Sequence, residues 1–186
     1  FDAESRHLVL LCKNETGYRN LSYMVSQAYI EGFYIKPRID LDLLREHSEG
    51  LIGLSACLAG EIPRRIINGD YDGAKAYALE MRDILGEDNF YLELQDHGIA
   101  DQTTVNRALL RMHNETGIPL VCTNDAHYLR KEDAESHDVL LCIQTGKTVD
   151  DDNRMRYEPQ NFYLRSTEEM EALFSGYPDA VENTQC

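Results

Sequence analysis

Four short apolar runs, each followed by a segment with helical periodicity, constrain the fold of this chain more than any other feature. In the segment after the first run, Leu21, Met24, Val25 and Ala28 recur at spacings of three and four, as on one face of a helix. Strands that alternate with helices are typical of parallel sheets and βα barrels. We therefore expect an α/β fold with adjacent parallel strands and right-handed crossovers. The predicted strands are residues 7–13, 51–56, 89–95 and 118–124.

Charge and composition limit the classes of protein to which the chain can belong. Its 18 basic and 33 acidic residues give a formal net charge of −15, which repels a phosphate backbone, so this segment is not expected to be the main contact with DNA. No apolar run approaches the ~20 residues of a membrane-spanning helix. The five cysteines are odd in number and widely spaced, which suits reduced thiols. We expect a cytoplasmic protein with no membrane contact.

Several potential metal ligands stand near the ends of the predicted strands. Asp125 and His127 follow the fourth apolar run, and side chains two residues apart in an extended segment point to the same side. Cys57 follows the second run and His97 the third, whereas His7 begins the first. In βα barrels the carboxyl ends of the strands carry the functional site. Imidazole, carboxylate and thiolate together form a transition-metal ligand set, zinc first. By spacing alone, however, an Asp-x-His pair is most often a surface turn.

Four longer blocks resemble a known family. HLVLLCKNETGYRNL, GLIGLSACLAGEIPR, YLELQDHGI and CTNDAHYLRKEDAESHDVLLCIQTGK, in this order, are similar to the polymerase and histidinol phosphatase (PHP) domain of bacterial replicative polymerases, in the DNA polymerase III alpha subunit family. The resemblance implies a distorted (β/α)7 barrel. The family's opening His-x-His, Thr-Asp-His-Gly and glutamate-bearing strands are missing here. The chain is therefore interpreted as the later part of that barrel and, since it begins without Met, as part of a longer protein.

The resemblance implies a set of metal ligands in this chain. Matched position by position, they are His7, Cys57, Asp125 and His127, within a site that holds up to three zinc or manganese ions in the whole domain. Each residue also has an ordinary structural interpretation. His7 can be a histidine at a strand start, Cys57 a buried thiol, and Asp125 a residue that caps a turn.

Other polar residues carry weaker predictions. His97 and its neighbour Asp96 are candidates for orienting a metal ligand by hydrogen bonding, without binding the metal themselves. Lys36 and Arg38 could contact a phosphate, but a loop that positions Asp40 as a helix cap explains them equally well. His137 is interpreted as a packing or surface residue of a helix.

The resemblance also implies a domain plan and a function for the parent protein. Residues 1–149 are predicted to be a partial PHP domain, and residues 150–186 its end and the start of the connection to the polymerase core. The full-length protein is expected to carry out DNA-templated DNA synthesis, with magnesium bound in a core outside this chain. Expected partners are DNA, other polymerase III holoenzyme subunits and a proofreading exonuclease subunit. The domain itself is either a metal-dependent phosphoesterase, such as a 3′→5′ proofreading nuclease, or a structural module that docks other subunits.

Overall fold

The structure, a computed structural model, describes residues 4–185 as a mixed α/β fold. Its strands are β1 (Val9–Cys12), β2 (Leu51–Leu54), β3 (Phe90–Leu94) and β4 (Leu120–Cys122). Its helices are α1 (Glu15–Ile30), α2 (Leu41–Glu46), α3 (Glu61–Ile67), α4 (Tyr71–Leu85), α5 (Ala100–Thr116), α6 (Ala134–Thr145), α7 (Thr167–Leu173) and α8 (Pro178–Glu182).

Helix ends follow from local side-chain chemistry. The Asn14 side chain accepts a hydrogen bond from the Gly17 N–H at the start of α1, and Asp70 does the same for Gly73 at the start of α4. At the other end, Gly117 and Gly146 end α5 and α6 in the left-handed conformation that glycine adopts without steric cost. These caps separate the strands from the helices that connect them.

One central expectation about the sheet is wrong. The strand order is β1-β2-β3-β4, and β2, β3 and β4 are parallel, but β1 pairs antiparallel with β2. Hydrophobic periodicity reports that a segment is a strand but carries no information about its direction, which depends on the neighbouring elements. One feature of the sequence agrees with the antiparallel direction of β1. His7 stands at the start of its apolar run, whereas Cys57 and Asp125 follow theirs.

The main core lies on one face of the sheet. Alternate side chains of β3, namely Phe90, Leu92 and Leu94, pack there against α4 and α5. A smaller cluster of Leu54, Tyr91 and Val121 lies apart from this core. Because strand side chains alternate between faces, the second cluster marks the opposite face of the sheet.

The two edge strands differ in how they are covered. The segment after α8 lies against β4, where the Asn183 side chain donates to the Leu120 carbonyl over 2.8 Å. Beside β1 runs a groove of about 990 Å³ that α1 and α2 also line.

Among the described cysteines, Cys12, Cys57, Cys122 and Cys142 are free thiols, while Cys186 lies outside the described residues. Within residues 4–185, no helix has the length and apolar character needed to cross a membrane.

Candidate metal-binding site

The antiparallel direction of β1 brings His7 beside Cys57. Val9 pairs with Leu54, so residues before β1 lie next to residues after β2. The Nδ1 atom of His7 is 3.5 Å from the Sγ atom of Cys57, and the His7 backbone N–H donates to the Ala59 carbonyl over 3.1 Å. Zinc–nitrogen and zinc–sulfur bonds of about 2.0–2.3 Å allow one ion to contact two atoms at such a separation. These two predicted ligands therefore form a pair suited to a shared ion.

The surroundings of Cys57 are acidic. Burial raises the pKa of the Cys57 thiol, and the nearby Asp125 and Glu93 carboxylates raise it further. Both effects disfavour the thiolate, since burial removes hydration and the carboxylates repel a third negative charge. A cation bound among these groups would reverse that preference, because thiolate is the form of cysteine that binds metals.

His127 has a ring orientation that leaves one nitrogen available. Its Nδ1 atom lies 2.8 Å from the backbone carbonyl oxygen of Asp125. Because a carbonyl oxygen only accepts, Nδ1 must carry the proton, and in the neutral ring Nε2 then keeps a lone pair. The side chain is exposed, so that lone pair is accessible. A histidine whose second nitrogen donates to a backbone carbonyl is the usual form of a metal-binding histidine.

Asp125 occupies an unusual backbone conformation. Its φ angle is 44°, in the left-handed region, which Asp and Asn adopt more readily than other residues with side chains. The turn bends the chain after β4 so that the Asp125 carbonyl meets His127. Asp125 thus contacts His127 through its backbone and acts on Cys57 through its charge.

His97 uses both ring nitrogens within the protein. It is 1% exposed, with Nε2 2.7 Å from the Asn124 carbonyl oxygen and Nδ1 2.8 Å from the side-chain nitrogen of Gln102. Burial lowers the pKa of His97, so the neutral ring is favoured. The ring therefore has no free lone pair for a metal. The His97 ring contacts the backbone carbonyl of Asn124, the residue before Asp125, and Asp96 accepts a hydrogen bond from the Gly98 N–H. A role for either residue in orienting a metal ligand stays a prediction.

Lys36 and Arg38 lie in the loop between α1 and α2 and line the groove beside β1. The guanidinium of Arg38 is 5.1 Å from the centroid of the Tyr34 ring. In the same loop, Asp40 caps α2 by accepting from the Leu43 N–H over 2.9 Å. The cap predicted for Asp40 is confirmed, and a phosphate contact by the two basic residues stays a prediction.

A segment that sequence reasoning treated only as a charged loop and a connection passes beside the candidate site. We call residues 154–165 the strap. Arg154 at its start makes two hydrogen bonds to the Asp138 carboxylate, of 2.5 and 2.7 Å. Arg165 at its end donates to the Asn124 side chain over 2.7 Å, and Phe162 accepts from the His127 backbone N–H over 2.8 Å. The strap is therefore attached to both sides of the loop that carries Asp125 and His127.

Two aromatic rings of the strap lie beside His127. The Tyr157 ring lies 4.5 Å from the His127 ring and 4.9 Å from Phe162, centroid to centroid. Phe162 in turn stacks on His97 at 4.1 Å. His137, predicted to be a packing or surface residue, meets the edge of His127 at 5.9 Å. No local pattern in the sequence indicated Tyr157 or Phe162, since their positions depend on how the strap folds back.

The four predicted ligands do not meet at one point within the described residues. The structure places His7 against Cys57 and joins His127 to the Asp125 carbonyl. Within residues 4–185, no group of three or more His, Cys, Asp and Glu side chains is arranged to hold a metal ion. What the described chain offers is a His–Cys pair and a histidine with an available nitrogen. Both fit the donor chemistry of zinc.

Comparison with known proteins places these residues in context. The sequence profile of the PHP domain matches residues 1–97, which include His7 and Cys57. The chain is 48% identical over 178 residues to the DNA polymerase III subunit alpha of Treponema pallidum, covering 96% of this chain and 15% of that protein. It is 49% identical over 180 residues to the subunit of Borreliella burgdorferi, covering 97% and 16%. The subunit of Thermus aquaticus is 49% identical over 167 residues, covering 90% and 14%.

These matches differ in extent. The chain spans about 15% of the length of the curated relatives it matches, so they describe only a segment of much larger proteins. The profile match covers just over half of the chain and begins at its first residue. Because this profile matches more than half of its length, the chain belongs to the PHP domain family.

Proposed function

We propose that this chain is a metal-binding PHP module within the alpha subunit of a bacterial DNA polymerase III. The similarity to three such subunits along 90–97% of the chain supports the parent protein. The observation that carries metal binding is the His127 ring, whose Nδ1 is held by the Asp125 carbonyl and whose Nε2 is left available. The proposed ligands are His7, Cys57, Asp125 and His127.

In the parent protein, residues 1–149 would form the later part of a (β/α)7 barrel, and residues 150–186 would close it and begin the connection to the polymerase core. The contacts of the strap with Asn124 support a closing role for the second segment. DNA synthesis, with magnesium, would take place in that core. We place the parent protein in the cytoplasm, among other holoenzyme subunits that include a proofreading exonuclease subunit.

The residues of this chain would prepare the site in separate ways. The Asp125 carbonyl fixes the His127 tautomer, His97 holds the carbonyl of the preceding residue, and Tyr157 covers one side of the His127 ring. A bound zinc or manganese ion would supply Lewis acidity and lower the pKa of a bound water. The net charge of −15 opposes contact with a DNA backbone, which favours a structural and docking role over a nuclease.

Zinc and manganese content of the full-length protein tests the proposed ligands. We expect His127→Ala and Asp125→Asn each to weaken metal binding about tenfold or more, so that the purified variants contain clearly less metal by elemental analysis. Asparagine is the appropriate replacement at position 125 because it tolerates the left-handed backbone. His47→Ala is the matched control, since His47 is not a proposed ligand and its ring packs against Tyr23.

Unchanged metal content in both variants would overturn the metal-binding proposal. A second measurement separates the two roles of the module. Metal-dependent release of nucleotides from a DNA 3′ end, lost in His127→Ala, would show that the module is a nuclease. Retained metal without such release would leave the structural and docking role.

A further inference from the structure

Glu93 is a buried acid on the face of the sheet opposite the main core. It lies in β3 between Leu92 and Leu94, which point into the core, and it shares the other face with Tyr91 and Gln95. Its residue exposure is 5%. Carboxylates are almost never this buried unless they are paired, so the position calls for a specific partner.

One carboxylate oxygen of Glu93 is fully engaged. Oε1 accepts hydrogen bonds from the Thr123 hydroxyl and from the Gln95 side-chain amide, the latter over 3.0 Å. The Glu93 backbone N–H donates to the Ser55 hydroxyl over 2.8 Å. Ser55 precedes Cys57 by two residues, and Thr123 precedes Asp125 by two. Glu93 is therefore bonded to both segments that carry proposed ligands.

The other oxygen is buried without a partner. Among the residues that the structure describes, neither Oε2 of Glu93 nor Oε1 of Gln95 has a hydrogen-bond donor. A buried acceptor without a donor destabilises the folded state, and more so when it is charged. A purely structural carboxylate would be expected to have donors for both oxygens. Oε2 of Glu93 has none, although it lies beside the two segments that carry Cys57 and Asp125, and this arrangement suits a bound cation or a donor attached to one.

The electrostatic surroundings agree with this view. Burial raises the pKa of Glu93 most, hydrogen bonds from Thr123, Gln95 and the Ala56 backbone lower it, and the Asp125 charge raises it again. The pKa of Cys57 is raised first by burial and then by the Asp125 and Glu93 charges. A cation bound here would favour the ionised form of all three groups at once.

We propose that Glu93 is a positioning residue of the metal centre, which holds the Cys57 and Asp125 segments through its bonded oxygen and directs its free oxygen toward the bound metal group. This inference rests on the proposed function. Glu93 is not among the positions to which the family resemblance assigns a ligand. Its contribution is charge and orientation, so it adds affinity for the cation without being required for folding.

The test is Glu93→Gln in the full-length protein, depleted of metal and titrated with zinc against a chelating dye. Glutamine keeps the shape and can still accept from Thr123 and Gln95, but it removes the charge and the free acceptor. We expect zinc affinity to fall about tenfold or more, with an unchanged or higher melting temperature for the metal-free protein. Glu115→Gln, on the distant end of α5, is the control for the same change in net charge.

Wild-type affinity in a folded Glu93→Gln protein would overturn the inference, because a purely structural glutamate is replaced by glutamine at no cost to metal binding. If Glu93→Gln does not fold, Thr123→Val provides the second test of the role of Glu93. It keeps the carboxylate but removes the hydroxyl that orients it, and at least a threefold loss of zinc affinity is expected, against no loss if Glu93 is only structural.

His127→Ala in the same titration separates the two proposals. Lost affinity there with none lost in Glu93→Gln refutes only the role of Glu93, whereas no loss in either variant refutes the metal site itself.

Discussion

The isolated chain of residues 1–186 is expected to unfold on heating without a sharp cooperative transition and to associate in solution. Beside β1, a groove of about 990 Å³ lies open between the strand and helices α1 and α2. Apolar side chains near the end of α1 are exposed, including Tyr29 at 62% and Ile30 at 73%. An uncovered edge strand and a large apolar surface are both routes to aggregation.

Differential scanning calorimetry and sedimentation velocity on the purified chain check this expectation. The proposed full-length protein at equal concentration is the comparison, because further segments would there be available to cover the groove. A monomeric chain whose calorimetric and van't Hoff enthalpies agree would contradict the prediction, since that agreement is the mark of two-state unfolding.

The second large effect is expected from Phe90→Ala. Phe90 is 0% exposed at the start of β3, where it packs in the main core together with Leu85 of α4. Removing a buried phenyl ring costs about 3–5 kcal/mol through lost burial and the cavity that remains. We expect the free energy of opening of the β2, β3 and β4 amides to fall by that amount in the full-length protein, as measured by hydrogen exchange.

Ile143→Ala is the matched control for this measurement. Ile143 is 72% exposed on α6, so its truncation should change the same opening free energies by less than about 0.5 kcal/mol. Equal effects of the two substitutions would mean that β3 does not lie at the centre of the core.

The strands and helices were predictable because their signals are local. Residues 51–56 and 89–95 were predicted from composition and period, and the strands found there are Leu51–Leu54 and Phe90–Leu94. The direction of β1 was not predictable in this way, because the run HLVLLC presents the same apolar pattern in either direction. The barrel expected from the family resemblance remains a proposal, since the described sheet has the order β1-β2-β3-β4 with one antiparallel pair.

The candidate site was predictable only in part. The family resemblance indicated His7 and Cys57, and the structure places their side chains 3.5 Å apart. Glu93 was missed although YLELQ holds a usable signal, an acid that alternates with leucines in a strand buried along its whole length. Tyr157 left no such signal, because its contact with His127 depends on the return of a segment 30 residues farther along the chain.

The reversed first strand also determines where this domain can change length. The separation of His7 and Cys57 depends on the four residue pairs between β1 and β2, from Val9–Leu54 to Cys12–Leu51. Because strand side chains alternate, removing one residue inside β1 would turn His7 to the other face of the sheet or shift every pair. Residues added between Ile30 and Leu41, in the connection of α1 and α2, lie outside this ladder and leave the pair in place. Insertions and deletions among relatives should therefore collect in that connection and be absent from the four residues of β1.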